Sequence, residues 1–322
     1  MRAGTCAWNC GRGGSPLRYA NAERSMAALR TLRFPSCLAF CRKHVNSITG
    51  RSFAKCQARF LSSVTERDGL QVSHNSNTGV VTLSMNKPPV NSLNLEFLQS
   101  MHKTLGEIQD DQDCRAVILT SGLTNIFCAG LDITEMYQPD DKRLREFWTS
   151  LQDMWIRLYS FPKTTMAAIT GHSPAGGALL AMSCDYRVMA ENFTIGLNET
   201  KLGIVAPTWF IDLYVGILGQ RLSELALQTG KLFTSEEALK VGLVDQVVPL
   251  NDVIPTVEKE LSEWKIPALA RGMTKDVLRR IYWRKLQETQ DVDTESFVFL
   301  IKQEKVQQTL GLYLQSLKNK KK

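Results

Sequence analysis

An α/β fold with parallel strands, followed by an all-helical C-terminal region, is predicted by three observations. From residue 65 onward, short apolar runs alternate with helical patterns. Several of those runs are apolar on both faces, as in a sheet covered on both sides. Beyond residue 251, no convincing strand interrupts the helical periodicity.

Taken in order, GVVTLSM (79–85) reads as a strand, and NLEFLQSMHKTLGEIQDD (94–111) as a helix with Leu95, Leu98, Leu105 and Ile108 on one face. RAVILTSG (115–122) is a nearly continuous apolar run, the mark of a strand buried on both faces. A helix around 143–160 carries Trp148 and Trp155 seven residues apart beside Leu151, Ile156 and Leu158, which is a core pattern rather than a stacking platform. The strand TTMAAIT (164–170) comes next, and GHSPAGGALLAMSCD (171–185) is a turn running into a helix from Gly176. YRVMA (186–190) is a further strand. After 251 the segments NDVIPTVEKELSEW, ALARGMTKDVLRRIYWRKL and SFVFLIKQEKVQQTLGLYLQSL are helical. Their apolar residues, such as Ile281, Trp283, Phe297, Phe299 and Leu300, cover either the main domain or a neighbouring subunit. The final KNKKK reads as a solvated end.

Charge divides the chain. The net charge is +7 over 322 residues, but residues 1–60 hold 11 basic side chains against the single acid Glu23, and the remainder is net negative by 3. A leader rich in Arg, Ser, Ala and Cys, without the apolar run of a secretory signal, predicts a mitochondrial transit peptide over 1–60. SMAALRTLRF (25–34) winds into a helix with Arg30 and Arg33 on one side, and ARFLSS offers a processing point after Phe60. The rival reading is a basic arm for RNA or anionic lipid. Cys6, Cys10, Cys37, Cys41 and Cys56 fall in the leader, leaving Cys114, Cys128 and Cys184. Three scattered cysteines suggest neither a disulfide frame nor a zinc site, which fits the mitochondrial matrix. Cys37 and Cys41, with His44, lack the second ligand pair of a metal cluster. No apolar run reaches the length of a membrane span, so no stable membrane insertion is expected.

Chemistry concentrates at two glycine-bearing loops. Gly176 and Gly177 stand at a helix start, where alanine would lose less conformational entropy. Their bareness serves close backbone packing, or it leaves the first helical amides free to bind an anion. The loop lacks the Lys and Ser or Thr of a phosphate loop, and no GxGxxG follows a strand. In NIFCAGLDITEM (125–136), Ala129 and Gly130 precede what reads as another helix start with Asp132 in its first turn. Two strand-ending loops with small residues are what a two-donor oxyanion hole requires. In FTIGLNETKLGIVAP (193–207), Glu199 is the candidate base; burial among Leu197, Leu202, Ile204 and Val205 would raise its pKa toward neutrality. His172 reads as a turn residue making a structural hydrogen bond, and no GxSxG marks a nucleophile. Asp132 with Glu135 reads as a helix-start acid plus a surface acid.

PPVNSLNLEFL, FCAGLDITEM, PAGGALLAMSCDYRVMA, IGLNETKLGI and SEEALKVGLVDQVVP, in this order and spacing, resemble the enoyl-CoA hydratase/isomerase (crotonase) superfamily. The resemblance runs from about residue 66 to the C-terminus and is strongest toward the mitochondrial isomerase branch. It implies a spiral of ββα units over 66–250 and a helical region over 251–322 that supports homotrimers and covers the site. It implies that Leu131 and Gly176 donate their amides to the thioester oxygen, that Ala129, Gly130, Leu131, Asp132, Ile133, Gly176 and Asn198 bind the acyl-CoA, and that Glu199 is catalytic. Leu179 stands where hydratases of the family carry a second glutamate, so hydration is expected to be poor. The implied activity moves the double bond of a 3-cis/trans-enoyl-CoA to give the 2-trans-enoyl-CoA, in β-oxidation of unsaturated fatty acids. No metal and no cofactor is expected, coenzyme A being part of the substrate. The alternatives are a dienoyl-CoA isomerase, an enoyl-CoA hydratase, an RNA-binding relative or a silent scaffold. No nucleic-acid partner is expected, because helix 94–111 carries only Lys103 and ends acidic.

Overall fold

A computed structural model describes residues 64–319. The leader, its processing point and the Cys37–Cys41 pair lie outside the described residues. The described residues open with an antiparallel pair, β1 (Val64–Arg67) and β2 (Leu70–Asn75), which continues into β3 (Val80–Met85). Helix α1 (Leu95–Asp110) follows, its Asn94 cap accepting from the Phe97 amide at 3.2 Å. Leu95, Leu98, Leu105 and Ile108 are all buried on it, as the periodicity predicts.

From here the chain repeats one unit. A strand joins the main sheet, a short strand joins a second sheet, and a helix returns. The three units are β4 (Ala116–Ser121), β5 (Asn125–Ile126), α2 (Asp141–Tyr159); β6 (Thr164–Ile169), β7 (Gly171–Pro174), α3 (Gly176–Ser183); and β8 (Tyr186–Ala190), β9 (Thr194–Gly196), α4 (Thr208–Leu218). Next come α5 (Gln220–Thr229), β10 (Phe233–Thr234), α6 (Ser235–Lys240) and β11 (Gln246–Val248). Among the described residues the main sheet runs β1-β2-β3-β4-β6-β8-β11, parallel from β3 onward, and the second runs β10-β9-β7-β5. The continuous apolar run at 115–122 is explained by its central place, where Ala116 to Thr120 are buried on both faces.

Two sequence expectations need correction. Residues 171–174 are strand β7 rather than a turn; with β5 and β9, it is too short to show a period of two. The C-terminal helices also divide differently: α7 (Val253–Glu263) is followed by one helix of 34 residues, α8 (Ala268–Ile301), and then α9 (Glu304–Asn319). The break falls inside the apparent helix 296–317. There the Gln307 side-chain amide donates to the Ile301 carbonyl at 2.7 Å and to Met136 O at 2.8 Å, satisfying the helix end without a glycine. Of the apolar residues in this region, Phe297 is 6% exposed and packs into the core, whereas Ile281 and Phe299 are about three-quarters uncovered at 70% and 72%. Among the described residues, no helix is long and apolar enough to cross a membrane.

Helix α8 is clamped to the sheet layer by charge. Asp185, which caps the start of β8 and accepts from the Thr165 amide at 3.0 Å, receives Lys275 at 2.8 Å, Arg279 at 3.0 Å and Arg271 at 3.4 Å. Arg279 also donates to the Tyr159 and Ser183 carbonyls, where α2 and α3 end and their partial negative charge favours a cation. All four charged side chains are at most 16% exposed. Removing one partner of such a cluster leaves uncompensated buried charge. Asp185→Asn is expected to cost about 3–5 kcal/mol in urea unfolding at neutral pH; a loss under about 1 kcal/mol would mean that water screens the three cations.

Candidate active site

The two glycine loops meet backbone to backbone. Gly130 has φ +89°, a conformation that side chains resist, and a Cβ on it would sit 2.9 Å from the Gly176 nitrogen. A Cβ on Gly176 would lie 3.1 Å from Gly130 Cα and 3.4 Å from the Leu131 nitrogen. A Cβ on Gly177 would collide with the Cys128 carbonyl at 2.2 Å. The missing side chains thus face the opposite loop. Their absence serves packing, and that packing brings the Leu131 and Gly176 amides side by side.

Among the described residues, neither amide has a hydrogen-bond partner. The bridge between Leu93 and Leu131 is closed by Leu93 N–H to Gly130 O at 2.9 Å and by Asp132 N–H to Leu93 O at 3.0 Å. It therefore uses the neighbours of Leu131 and spares its own amide. Gly176 is the first residue of α3, where an amide has no intrahelical partner. The preceding Ala175 adopts φ 50°, ψ −120°, a strained conformation for a residue with a Cβ, worth about 1–3 kcal/mol. The Ala175 amide is held by Gly196 O at 2.8 Å, tying the turn to β9.

The 125–136 loop is fixed by polar contacts that the sequence only partly reveals. Asn91, fully buried at φ 51°, donates to Ser121 Oγ and Phe127 O, both at 2.9 Å, and accepts from the Lys87 amide at 2.8 Å. Its signals in the sequence are the helix-breaking PPVN context and its place in the PPVNSLNLEFL match. Asp132 caps a single 3-10 turn, Ile133–Glu135, rather than a longer helix. Its carboxylate also accepts from Ser92 at 3.1 Å. Burial works against this charge, but the Thr134 and Ser92 hydrogen bonds and nearby Lys87 outweigh it and hold the group below the usual carboxylate range. Glu135 corrects the expectation of a surface acid. It is buried, accepts from the Leu95 amide at 3.2 Å at the start of α1, and takes two bonds from Arg143 at 2.7 and 2.8 Å. Cys128, wholly buried under the loop, has its thiol pushed up to about 12 by burial, so it stays protonated.

Beside these loops lies a cavity. Ala129, Leu131 and Ile133 line it from the first loop, Pro174 and Ala175 from the second, and Asn198 and Glu199 from a 3-10 turn, Glu199–Leu202. Its remaining wall is apolar and includes Met136, Trp148, Phe210, Phe297 and Tyr313. Gly130 and Gly176 lie against each other, and Asp132 turns to Ser92 and Thr134; these three are outside the lining. Glu199 is the only acidic side chain in the lining among the described residues. Leu179 is completely buried in the main core. His172 binds Thr194 across β7 and β9, the structural role expected of it.

Part of Glu199 is solvent-accessible, but its Oε2 is sealed from solvent and has no hydrogen-bond partner among the described residues; the same holds for Asn198 Oδ1. Burial raises the Glu199 pKa to about 7, against a smaller opposing effect of its own amide. The residues missed from sequence are Trp148, Phe210 and Tyr313, because periodicity cannot separate a cavity wall from a core.

The enoyl-CoA hydratase/isomerase family model matches residues 75–321. The chain is 45% identical over 246 residues to mitochondrial enoyl-CoA delta isomerase 1 of Mus musculus, covering 76% of this chain and 85% of that protein. It is 42% identical over 253 residues to the Homo sapiens protein of the same name, covering 78% and 84%. The crystal structure of human mitochondrial delta3-delta2-enoyl-CoA isomerase superposes with a TM-score of 0.78 at 41% identity, covering 79% of this chain and 100% of that one.

A buried carboxyl whose pKa is raised on folding destabilises the folded state once it must ionise. The Glu199 shift from 4.5 to about 7 means that folding binds a proton in that window, so stability falls as pH rises through it. Glu199→Gln, which removes the ionisation, is expected to be more stable than the parent by up to about 3 kcal/mol at pH 8. The gain should shrink toward pH 4.5. Paired thermal or urea unfolding curves across that range check it, and a pH-independent difference would contradict the assigned shift.

Proposed function

This chain belongs to the enoyl-CoA hydratase/isomerase family, and within it we propose that it is an enoyl-CoA delta isomerase, turning 3-cis- or 3-trans-enoyl-CoA into 2-trans-enoyl-CoA. One observation carries the reading: a single carboxylate with a near-neutral pKa shares a cavity with the loop of one unengaged amide, and that amide lies against a second. A proton shift along a three-carbon unit asks for one base that can also act as an acid, and for donors to the oxygen that gains charge.

The thioester oxygen accepts from the Leu131 and Gly176 amides. Glu199 removes a proton from C2, and the electron pair spreads over the dienolate, whose charge rests on that oxygen. The protonated Glu199 then returns the proton to C4, leaving the double bond between C2 and C3. Oε2, shielded from solvent, is suited to hold the proton between the two steps. Ala129, Gly130, Ile133, Asp132 and Asn198 belong to the same acyl-CoA site, Asp132 through the loop it caps. This chemistry requires neither a metal nor a redox cofactor; coenzyme A arrives with the substrate.

Hydration would need a second acid to activate water. Leu179 is apolar, while Asp132 and Glu135 are engaged elsewhere, which favours isomerisation over the hydratase and dienoyl alternatives. By the names of its relatives, we take the compartment to be the mitochondrion and the pathway to be fatty-acid oxidation. The basic, acid-poor residues 1–60 suit import to the matrix. A homotrimer is proposed too. Leu269, Met273, Val277 and Ile281 recur every four residues on α8 and are 62–78% exposed, a stripe suited to a second copy.

Assays on 3-enoyl-CoA and 2-enoyl-CoA, resolving isomerised from hydrated product, test the proposal. Isomerisation should dominate, Glu199→Gln should lose about 100- to 10,000-fold in kcat, and kcat/KM should climb with pH to a plateau above about 7 as Glu199 ionises. An active Glu199→Gln enzyme, or hydration as the main reaction, would sink it.

A further inference from the structure

Two pairs of side chains, each four residues apart on its helix, meet where α8 crosses α2. Phe297 stacks on Trp148 with ring centroids 3.5 Å apart and planes 9° from parallel. One turn away, Asp293 accepts from the Gln152 side-chain amide at 2.8 Å. The same carboxylate oxygen, Oδ2, accepts the Trp148 indole N–H at 2.8 Å and the Trp209 indole N–H at 3.3 Å. Gln152 is itself fully buried and accepts from Thr294 at 3.3 Å.

Trp148 and Phe297 line the cavity that holds Glu199, and so does Phe210, whose ring packs edge-on to Trp209 at 4.5 Å. One oxygen on α8 thus fixes the indoles of two helices, α2 and α4, that carry aromatic wall. The indole hydrogen bond adds an orientational constraint to the packing of the stack. Each indole N–H taken out of water needs an acceptor, and a carboxylate supplies a strong one.

We propose that Asp293 is a positioning residue for substrate specificity: it tethers Trp148 and Trp209 so that the Trp148–Phe297 stack forms a rigid wall that ranks acyl chains by length. The proposal rests on the isomerase reading for the identity of the ligand as an acyl-CoA. The polar tether stays outside the chemistry at Glu199; its effect falls on binding of the hydrocarbon tail.

The test uses the full chain, Asp293→Ala, Asp293→Asn and Phe297→Leu. Calorimetric binding of saturated acyl-CoA thioesters with six and twelve carbons is measured beside KM and kcat for 3-enoyl-CoA substrates of those lengths. The parent should discriminate between the lengths. Asp293→Ala should flatten that ratio by about tenfold, through KM more than kcat. Asp293→Asn, which keeps an acceptor oxygen, should retain the parent ratio. Phe297→Leu should flatten the ratio with the tether intact, and it decides the matter if Asp293→Ala does not fold. Equal binding of both lengths by the parent, an unchanged ratio in Phe297→Leu, a uniform kcat loss at both lengths, or Asp293→Asn behaving as Asp293→Ala would overturn the proposal. Length-graded binding by a parent that turns over no 3-enoyl-CoA would instead remove the isomerase reading and leave the wall in place.

Discussion

The contact between Gly130 and Gly176 is the constraint on which the site depends. A Cβ on either residue would press on the other loop, so the two backbones pack directly against each other. That approach sets the separation of two amides belonging to different turns of the fold, and among the described residues neither amide has a hydrogen-bond partner. A dipole held in place before reaction needs no reorganisation when charge develops. The supporting contacts follow from the same need: Asn91 and Cys128 hold the first loop from below, while Gly196 O holds the strained Ala175 turn of the second.

The helices beyond residue 250 have two jobs, and different charges carry them. Asp185, just before β8, binds the N-terminal part of α8 through three cations, one of which, Arg279, also reaches the ends of α2 and α3. Asp293 binds its C-terminal part to the aromatic side of α2 and α4 with neutral donors. The first is a matter of holding the helix; the second shapes what lies under it. Alongside the first anchor, α8 leaves Leu269, Met273, Val277 and Ile281 exposed, while further along the same helix Phe297 walls the cavity.

Much of the main sheet was legible, because Val117, Ile118 and Leu119 or Met166 to Ile169 announce a doubly buried strand by composition alone. The short strands of the second sheet were not, since two to four residues cannot display a period. From its own context Glu199 stood out by its apolar neighbours, the resemblance gave it a catalytic role, and burial raises its pKa. Glu135 misled for the opposite reason: its partner Arg143 lies on the next helix, and sequence spacing says nothing about a contact made by tertiary packing. Trp148 was read as core, and it is 2% exposed, yet it also walls the cavity. A pattern of apolar residues records burial, not what is buried against it.

The central claim is that one carboxylate, with its Oε2 shielded from solvent, carries the proton between two carbons. The most direct measurement follows a 3-enoyl-CoA deuterated at C2 and reads the C4 position of the product by NMR. The account predicts deuterium at C4 above the solvent level, lost together with turnover in Glu199→Gln. Complete wash-out of the label, with the Glu199→Gln protein still turning over, would mean that water or another group carries the proton.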